Sequence, residues 1–100
     1  MGRLPVVQND GNPDRAGRDH NTYGFSMWVA GGGFKAGYAH GATDEFGHQA
    51  AVDVVNHYDY HSTLLHLFGL DTQKLSYKRN GTEQKLVENA AAKVVTQLLA

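Results

Sequence analysis

The sequence contains no cysteine among its 100 residues. Disulfide frameworks and thiolate metal sites are therefore excluded. Nine lysines and arginines against ten aspartates and glutamates leave a formal charge of −1, so the chain lacks the basic surface that attracts nucleic acids and anionic membranes. It also lacks an apolar run approaching the ~18 residues of a membrane span. We expect neither nucleic acid nor a membrane as a partner, and the cellular compartment stays open.

Histidine, in contrast, is unusually frequent. The six histidines are His20, His40, His48, His57, His61 and His66. Histidine is a common metal ligand and a general base near neutral pH, so this excess raises the hypothesis of a site. A site needs several converging groups, however, and a single histidine is more often a surface or half-buried residue that makes one hydrogen bond.

The most distinctive stretch of the chain is an apolar segment at residues 25–30, which three consecutive glycines end. The segment is short, aromatic-rich and bounded by glycine, and this pattern predicts a buried strand rather than a helix. It is apolar on both faces, as expected of a strand with neighbours on both sides. Residues 1–24 are mostly turn-forming, so we expect loop there and strands and helices over residues 25–100, all within one domain.

The remaining short elements are predicted from residues that favour turns. The Asn80-Gly81 dipeptide favours a hairpin, because both central residues of a type I′ turn need positive φ. We also expect a short strand at residues 34–40. Asp44 and Glu45 lie side by side in a glycine-bounded polar loop, where carboxylates often bond the backbone. We therefore assign these two residues a structural role.

Two helices are expected in the C-terminal half. The first covers residues 59–68, with Asp59 as its N-cap, since a carboxylate accepts from first-turn N–H groups and faces the positive end of the helix dipole. Its predicted buried side consists of His61, Leu64, Leu65, Leu67 and Phe68. The second helix covers residues 88–99, where apolar residues recur at helical spacing.

One pair of histidines has the spacing of a helical metal site. His57 and His61 are four residues apart, as are the two ligands of the HExxH motif, but the motif itself is absent. Capping by Asp59 would place His57 outside the helix. This argues against the pair as ligands.

Four ordered segments together resemble a known family. They are GRDH at 17–20, FSMWVAGGG at 25–33, GATDEFG at 41–47 and DYHSTLLHLFGLD at 59–71. These segments resemble the C-terminal end of the bacterial sulfatase-like proteins classed as domain of unknown function 1501, a branch of the alkaline phosphatase-like superfamily. The resemblance covers essentially the whole chain.

The resemblance implies an α/β fold, namely part of a three-layer sandwich contributing C-terminal strands, a hairpin and two helices. In the superfamily, metal ions sit at the C-terminal edge of the central sheet, and one histidine ligand comes from a late loop directly before a strand. His20, before the predicted strand, matches that histidine, and Asp19 matches more weakly, as a partner that supports the imidazole of His20 or as a neighbouring ligand. The expected cofactor is a divalent metal such as zinc or calcium, bound in the longer parent protein.

By the same resemblance, the family proteins are several times longer, and the nucleophile and most metal ligands come from segments before this one. We therefore expect a C-terminal fragment of a sulfatase- or phosphatase-like hydrolase that is inactive alone. Its expected partner is the remainder of the parent domain, or a second copy that pairs with its open strands. The alternative is a small histidine-rich module that binds metal or another protein without catalysis.

Overall fold

The computed structural model of the chain describes residues 1–89 and 91–100, and it is a mixed α/β structure built from short elements. The strands are Gly2–Arg3 (β1), His20–Asn21 (β2), Ala42–Thr43 (β3), Ala50–Val52 (β4), Ser76–Arg79 (β5) and Thr82–Lys85 (β6), and the helix is His57–Leu67 (α1). The described strands form three separate antiparallel pairs, β1 with β2, β3 with β4 and β5 with β6. In this part of the chain no helix is long and apolar enough to cross a membrane.

The chain divides into two compact units. The first comprises Met1–Val29 and Ala39–Val54, and the second comprises Ala30–Tyr38 and Val55–Ala100. Among the described residues, the only hydrophobic side chains that are fully buried are those of Val87 and Val95, both in the second unit. Hydrogen bonds made by buried polar side chains therefore account for much of the order within each unit.

The first unit contains two strand pairs. In the β1–β2 pair, Arg3 lies opposite His20. The β3–β4 pair contains a shift in register, and the loop between its strands is held by Asp44, whose carboxylate accepts a hydrogen bond from the backbone N–H of His48 at 2.8 Å. This contact confirms the structural role predicted for Asp44. Glu45 is exposed.

The predicted strand at residues 25–30 is not formed. The segment belongs to no strand or helix, and its large side chains are exposed, with Phe25 at 52 %, Met27 at 54 % and Trp28 at 86 %. Apolar composition favours a strand only where a neighbouring backbone pairs with it, and the described residues offer no such neighbour. The short strand predicted at residues 34–40 is likewise reduced to a single bridge between Phe34 and Leu99.

Helix α1 begins two residues earlier than the sequence predicts. Its N-cap is Asn56, whose side-chain oxygen accepts a hydrogen bond from the backbone N–H of Asp59 at 2.9 Å. An uncharged amide serves this role as well as a carboxylate does. The prediction that Asp59 is the cap was therefore wrong, and His57 is the first residue of the helix.

The buried face of α1 is polar rather than apolar. Asp59, Ser62 and Thr63 are buried, and their spacing places them on one side of the helix. His61 and Phe68, both predicted to be buried, are exposed, and the remaining predicted members Leu64, Leu65 and Leu67 are half-buried. Asp59 and Thr63 of this face accept hydrogen bonds from the backbone of the C-terminal segment, whereas the buried hydroxyl of Ser62 has no partner among the described residues.

The C-terminal helix predicted over residues 88–99 is absent from the described residues. Only a single 3-10 turn forms there, at Thr96–Leu98, and Ala90 lies outside the described residues. The backbone N–H groups of Lys93 and Val95 donate to side chains of α1, so they are not available for the carbonyl four residues earlier. Contacts with α1 replace the predicted helix.

The predicted hairpin is confirmed. Strands β5 and β6 pair in register from Ser76 opposite Lys85 to Arg79 opposite Thr82. Asn80 and Gly81 have φ of 51° and 79°, the positive values that a type I′ turn needs.

Candidate functional site

His20 is the residue that the sequence singles out as a metal ligand, and its backbone is fixed on both sides. It pairs with Arg3 across the β1–β2 sheet, and the preceding Asp19 carbonyl accepts a hydrogen bond from the N–H of Leu4 at 2.9 Å. Its side chain is exposed and makes no hydrogen bond with the described residues. The backbone at His20 is thus restrained, and its exposed imidazole is accessible to a ligand.

Asp19 has a different set of contacts from the one expected of a partner of His20. Its carboxylate accepts a hydrogen bond from the side-chain amide of Gln8 at 3.2 Å, and its backbone N–H donates to the oxygen of the same amide at 3.0 Å. Within the described residues, no hydrogen bond joins the side chains of Asp19 and His20. The role of Asp19 here is to hold the loop before β2.

Sequence reasoning missed Asn21, which organises this region. Asn21 is only 3 % exposed; its side-chain amide donates to the carbonyl of His48 at 2.7 Å, and its oxygen accepts from the N–H of Tyr23 at 2.9 Å. The rings of Tyr23 and His48 lie 5.0 Å apart. Asn21 therefore fixes the strand that carries His20 to the β3–β4 loop. An asparagine in a polar stretch carries no distinctive signal, since such residues are common in exposed turns.

The described residues do not complete a metal site around His20. Nowhere in residues 1–89 and 91–100 do three or more histidines, aspartates or glutamates converge so that they could hold a metal ion. Stable structural and catalytic zinc sites use at least three protein ligands. At His20 the described residues therefore provide a single potential metal ligand.

A second cluster of chemically active side chains lies in the other compact unit. It surrounds a depression of about 380 Å³ whose lining residues are His57, Tyr58, His61, Tyr77, Lys85, Leu86, Val87 and Glu88. Helix α1 forms one side of the depression, and the β5–β6 hairpin with the residues after it forms the other. Of the lining residues, Val87 is buried, with 4 % of its surface exposed.

Two imidazoles of this depression come from the same helix. His57 and His61 are one turn apart on α1, and both side chains are exposed. The ring of His57 lies 3.9 Å from that of Tyr58, and the ring of His61 lies 5.6 Å from that of Tyr60, edge-on. Lys85 and Glu88 add one positive and one negative charge to the lining, so the depression has no excess of either sign.

Comparison with known proteins identifies the family but no individual relative. No curated protein and no solved structure gave a significant match. Residues 1–99 match the family described as "Protein of unknown function (DUF1501)". This match spans nearly the whole chain and agrees with the family expected from the four sequence segments. The chain belongs to the DUF1501 family.

Proposed function

We propose that this chain is the C-terminal part of a metal-dependent hydrolase of the sulfatase and phosphatase type, which acts on sulfate or phosphate esters. In this proposal the chain is inactive alone and supplies His20 to a divalent-metal site. The remainder of the parent domain supplies the nucleophile and the other ligands. The parent fold is a three-layer α/β sandwich, of which these residues form the C-terminal part.

The position of His20 is the observation that carries the proposal. The strand pairing with Arg3 and the buried side chain of Asn21 restrain the backbone on either side of it, while its imidazole is exposed and makes no hydrogen bond within the described residues. A histidine with a restrained backbone and an accessible imidazole fits a metal ligand, and the remainder of the parent domain would supply the hydrogen bond that orients its second nitrogen. A bound divalent metal would polarise the ester oxygen during hydrolysis.

The exposed apolar segment supports the partner named in the proposal. Phe25, Met27 and Trp28 follow His20 closely and are more than half exposed. Contiguous apolar surface of this kind usually marks an interface in a soluble protein. Burial under the remainder of the parent domain would shield the segment from water and would supply backbone partners to a strand at residues 25–30.

The proposal is tested by grafting. These 100 residues replace the corresponding C-terminal segment of a longer family member, and hydrolysis of aryl sulfate and aryl phosphate esters is measured with and without divalent metal. We expect metal-dependent turnover in the graft and none in the isolated chain. In the graft, His20→Ala should lower kcat/KM by about 100-fold or more, because it removes a metal ligand.

The matched control is His66→Ala, which changes an exposed histidine on α1. It should leave the activity of the graft unchanged. The proposal fails if the isolated chain hydrolyses these esters, or if the His20→Ala graft keeps full activity.

A further inference from the structure

Because α1 starts at His57, the structure contains the helical pair of histidines that the sequence alone argues against. Since Asn56 is the cap, His57 and His61 both lie within α1, one turn apart. Residues at this spacing project from the same face of a helix, with Cβ atoms about 5–6 Å apart. Both side chains line the same depression, so the two imidazoles share a concave surface.

The spacing is one that metal ions use. In the HExxH motif, two histidines four apart on a helix bind zinc through one face. Here the position of the motif's glutamate is taken by Tyr58, which cannot act as a carboxylate base. Asp59 is the acidic residue between the two histidines. It is 4 % exposed, and its carboxylate accepts a hydrogen bond from the N–H of Lys93 at 3.0 Å, so it is not available as a base. The arrangement suits binding rather than hydrolysis.

Both imidazoles are available for ligation. Neither makes a hydrogen bond within the described residues, and each ring rests against a neighbouring tyrosine. Imidazole nitrogens prefer borderline cations such as Zn²⁺, Ni²⁺ and Cu²⁺.

The lining offers no net attraction for an anion. Lys85 is opposed by the carboxylate of Glu88 in the same depression, so the charged side chains provide no net attraction for phosphate or sulfate. The hydrogen bond that Asn56 accepts from Asp59 also satisfies one of the N–H groups that an anion would use at the start of α1. The imidazoles of His57 and His61 are the nitrogen ligands that the lining offers to a metal ion.

We propose that His57 and His61 form an exchangeable surface site for Zn²⁺ or a similar borderline divalent cation, with water completing the coordination shell. Two protein ligands are fewer than the three or more of a structural or catalytic zinc site, so the ion binds reversibly here and takes no part in catalysis. The site is formed within the second compact unit, whereas His20 belongs to the first. It is therefore independent of the hydrolase proposal, and either of the two can fail without the other.

The test is calorimetric titration of the intact chain with zinc chloride. All variants are prepared in a His20→Ala background, so that His20 contributes nothing to the signal. We expect one zinc ion per chain, and an affinity lowered about tenfold or more by His57→Ala or by His61→Ala, because a lost ligand costs at least as much as a lost supporting contact. Both residues are exposed and alanine is the best helix former, so the variants should keep their fold.

His66→Ala is the matched control, because His66 is an exposed histidine of the same helix that does not line the depression. It should leave zinc affinity unchanged. In a parallel NMR titration with zinc, the imidazole resonances of His57 and His61 should shift and those of His66 should not. Undiminished zinc binding in the His57→Ala/His61→Ala double variant would overturn the proposal, as would an equal loss in His66→Ala.

Discussion

The hydroxyl of Thr63 joins α1 to the C-terminal segment: it donates to the carbonyl of Asp59 at 2.8 Å and accepts a hydrogen bond from the backbone N–H of Val95 at 2.9 Å. One turn earlier, the carboxylate of Asp59 accepts from the N–H of Lys93 at 3.0 Å. The two contacts of Thr63 are buried and that of Asp59 is partly buried, and Thr63 is fully inaccessible to solvent. A polar helix face therefore takes the place of an apolar core contact.

Thr63→Val should lower the free energy of unfolding by about 1–3 kcal/mol, because it leaves the buried N–H of Val95 without an acceptor. Thr63→Ser retains the hydroxyl and should be affected much less. Urea denaturation measures the difference, and amide hydrogen exchange at Val95 should be faster in the valine variant only. Equal stability of the valine and serine variants would contradict this account.

Asn21→Ala should destabilise the first compact unit by about 1–3 kcal/mol, since the carbonyl of His48 and the N–H of Tyr23 both lose their partner. Asn9→Ala is the control, because the side chain of Asn9 bonds only an exposed turn N–H, that of Gly11. Amide exchange at Tyr23 distinguishes the two: it should accelerate in Asn21→Ala and stay as in the unaltered chain in Asn9→Ala. The same rate in both variants would count against a clamping role.

Asn56→Ala should lower the free energy of unfolding by about 1 kcal/mol, the usual effect of removing an N-cap side chain. Asn56→Ser should recover most of this, because serine also accepts from first-turn N–H groups. Chemical denaturation followed by far-UV circular dichroism reports the change. A negligible effect of Asn56→Ala on stability would show that Asn56 does not cap the helix. Asp59→Asn is not a suitable comparison, because the Asp59 carboxylate also accepts a hydrogen bond from the N–H of Lys93.

Trp28, the only tryptophan of the chain, should report on the exposed apolar segment. We expect its emission to be that of a water-exposed indole at low protein concentration, and to shift to the blue as the chain self-associates through residues 25–30. Trp28→Lys should weaken this association in sedimentation experiments. Phe68→Lys is the control, because Phe68 is an aromatic residue outside this segment that is 79 % exposed. It should not weaken the association. Equal weakening by both would mean that association is unspecific.

Asp71 should titrate below the usual range of an aspartate. The backbone N–H of Gln73, which donates to its carboxylate at 2.9 Å, and the ammonium of Lys74 at 3.4 Å hold the pKa of Asp71 below its ordinary value. The charged form is favoured in the folded chain, so its contribution to stability is present above the pKa of the unfolded state, about 3.9. That contribution is lost as the pH falls through the lower, folded-state pKa.

The carboxyl carbon resonance of Asp71 in an NMR titration measures this directly. Lys74→Ala should raise the pKa of Asp71 only in part, because the hydrogen bond from Gln73 is the larger cause and remains. The effect on overall stability should be small, since the group is exposed and screened by solvent. A midpoint at or above the ordinary aspartate value would contradict the assignment.

Elements whose causes are local were predictable from the sequence. The Asn80-Gly81 hairpin follows from two backbone conformations that these residues adopt readily. The presence of a helix near residues 59–68 follows from the apolar residues that recur there, although the face that it buries is polar. The bonding of Asp44 to nearby backbone is local in the same sense. The choice of His20 as a metal ligand rests on its place in a recognisable segment and stays a prediction.

Only the tertiary structure decided the features that depend on distant partners. The carboxylate of Asp59 and the hydroxyl of Thr63 bond backbone groups 34 and 32 residues away, and these contacts replaced the predicted C-terminal helix. Asn21 is buried because it meets His48, 27 residues on. The segment at residues 25–30 is not a strand, because a strand needs a paired backbone as well as apolar side chains. Local composition limits the conformations that a segment can adopt. Contacts with a distant part of the chain determine which of these conformations is stable.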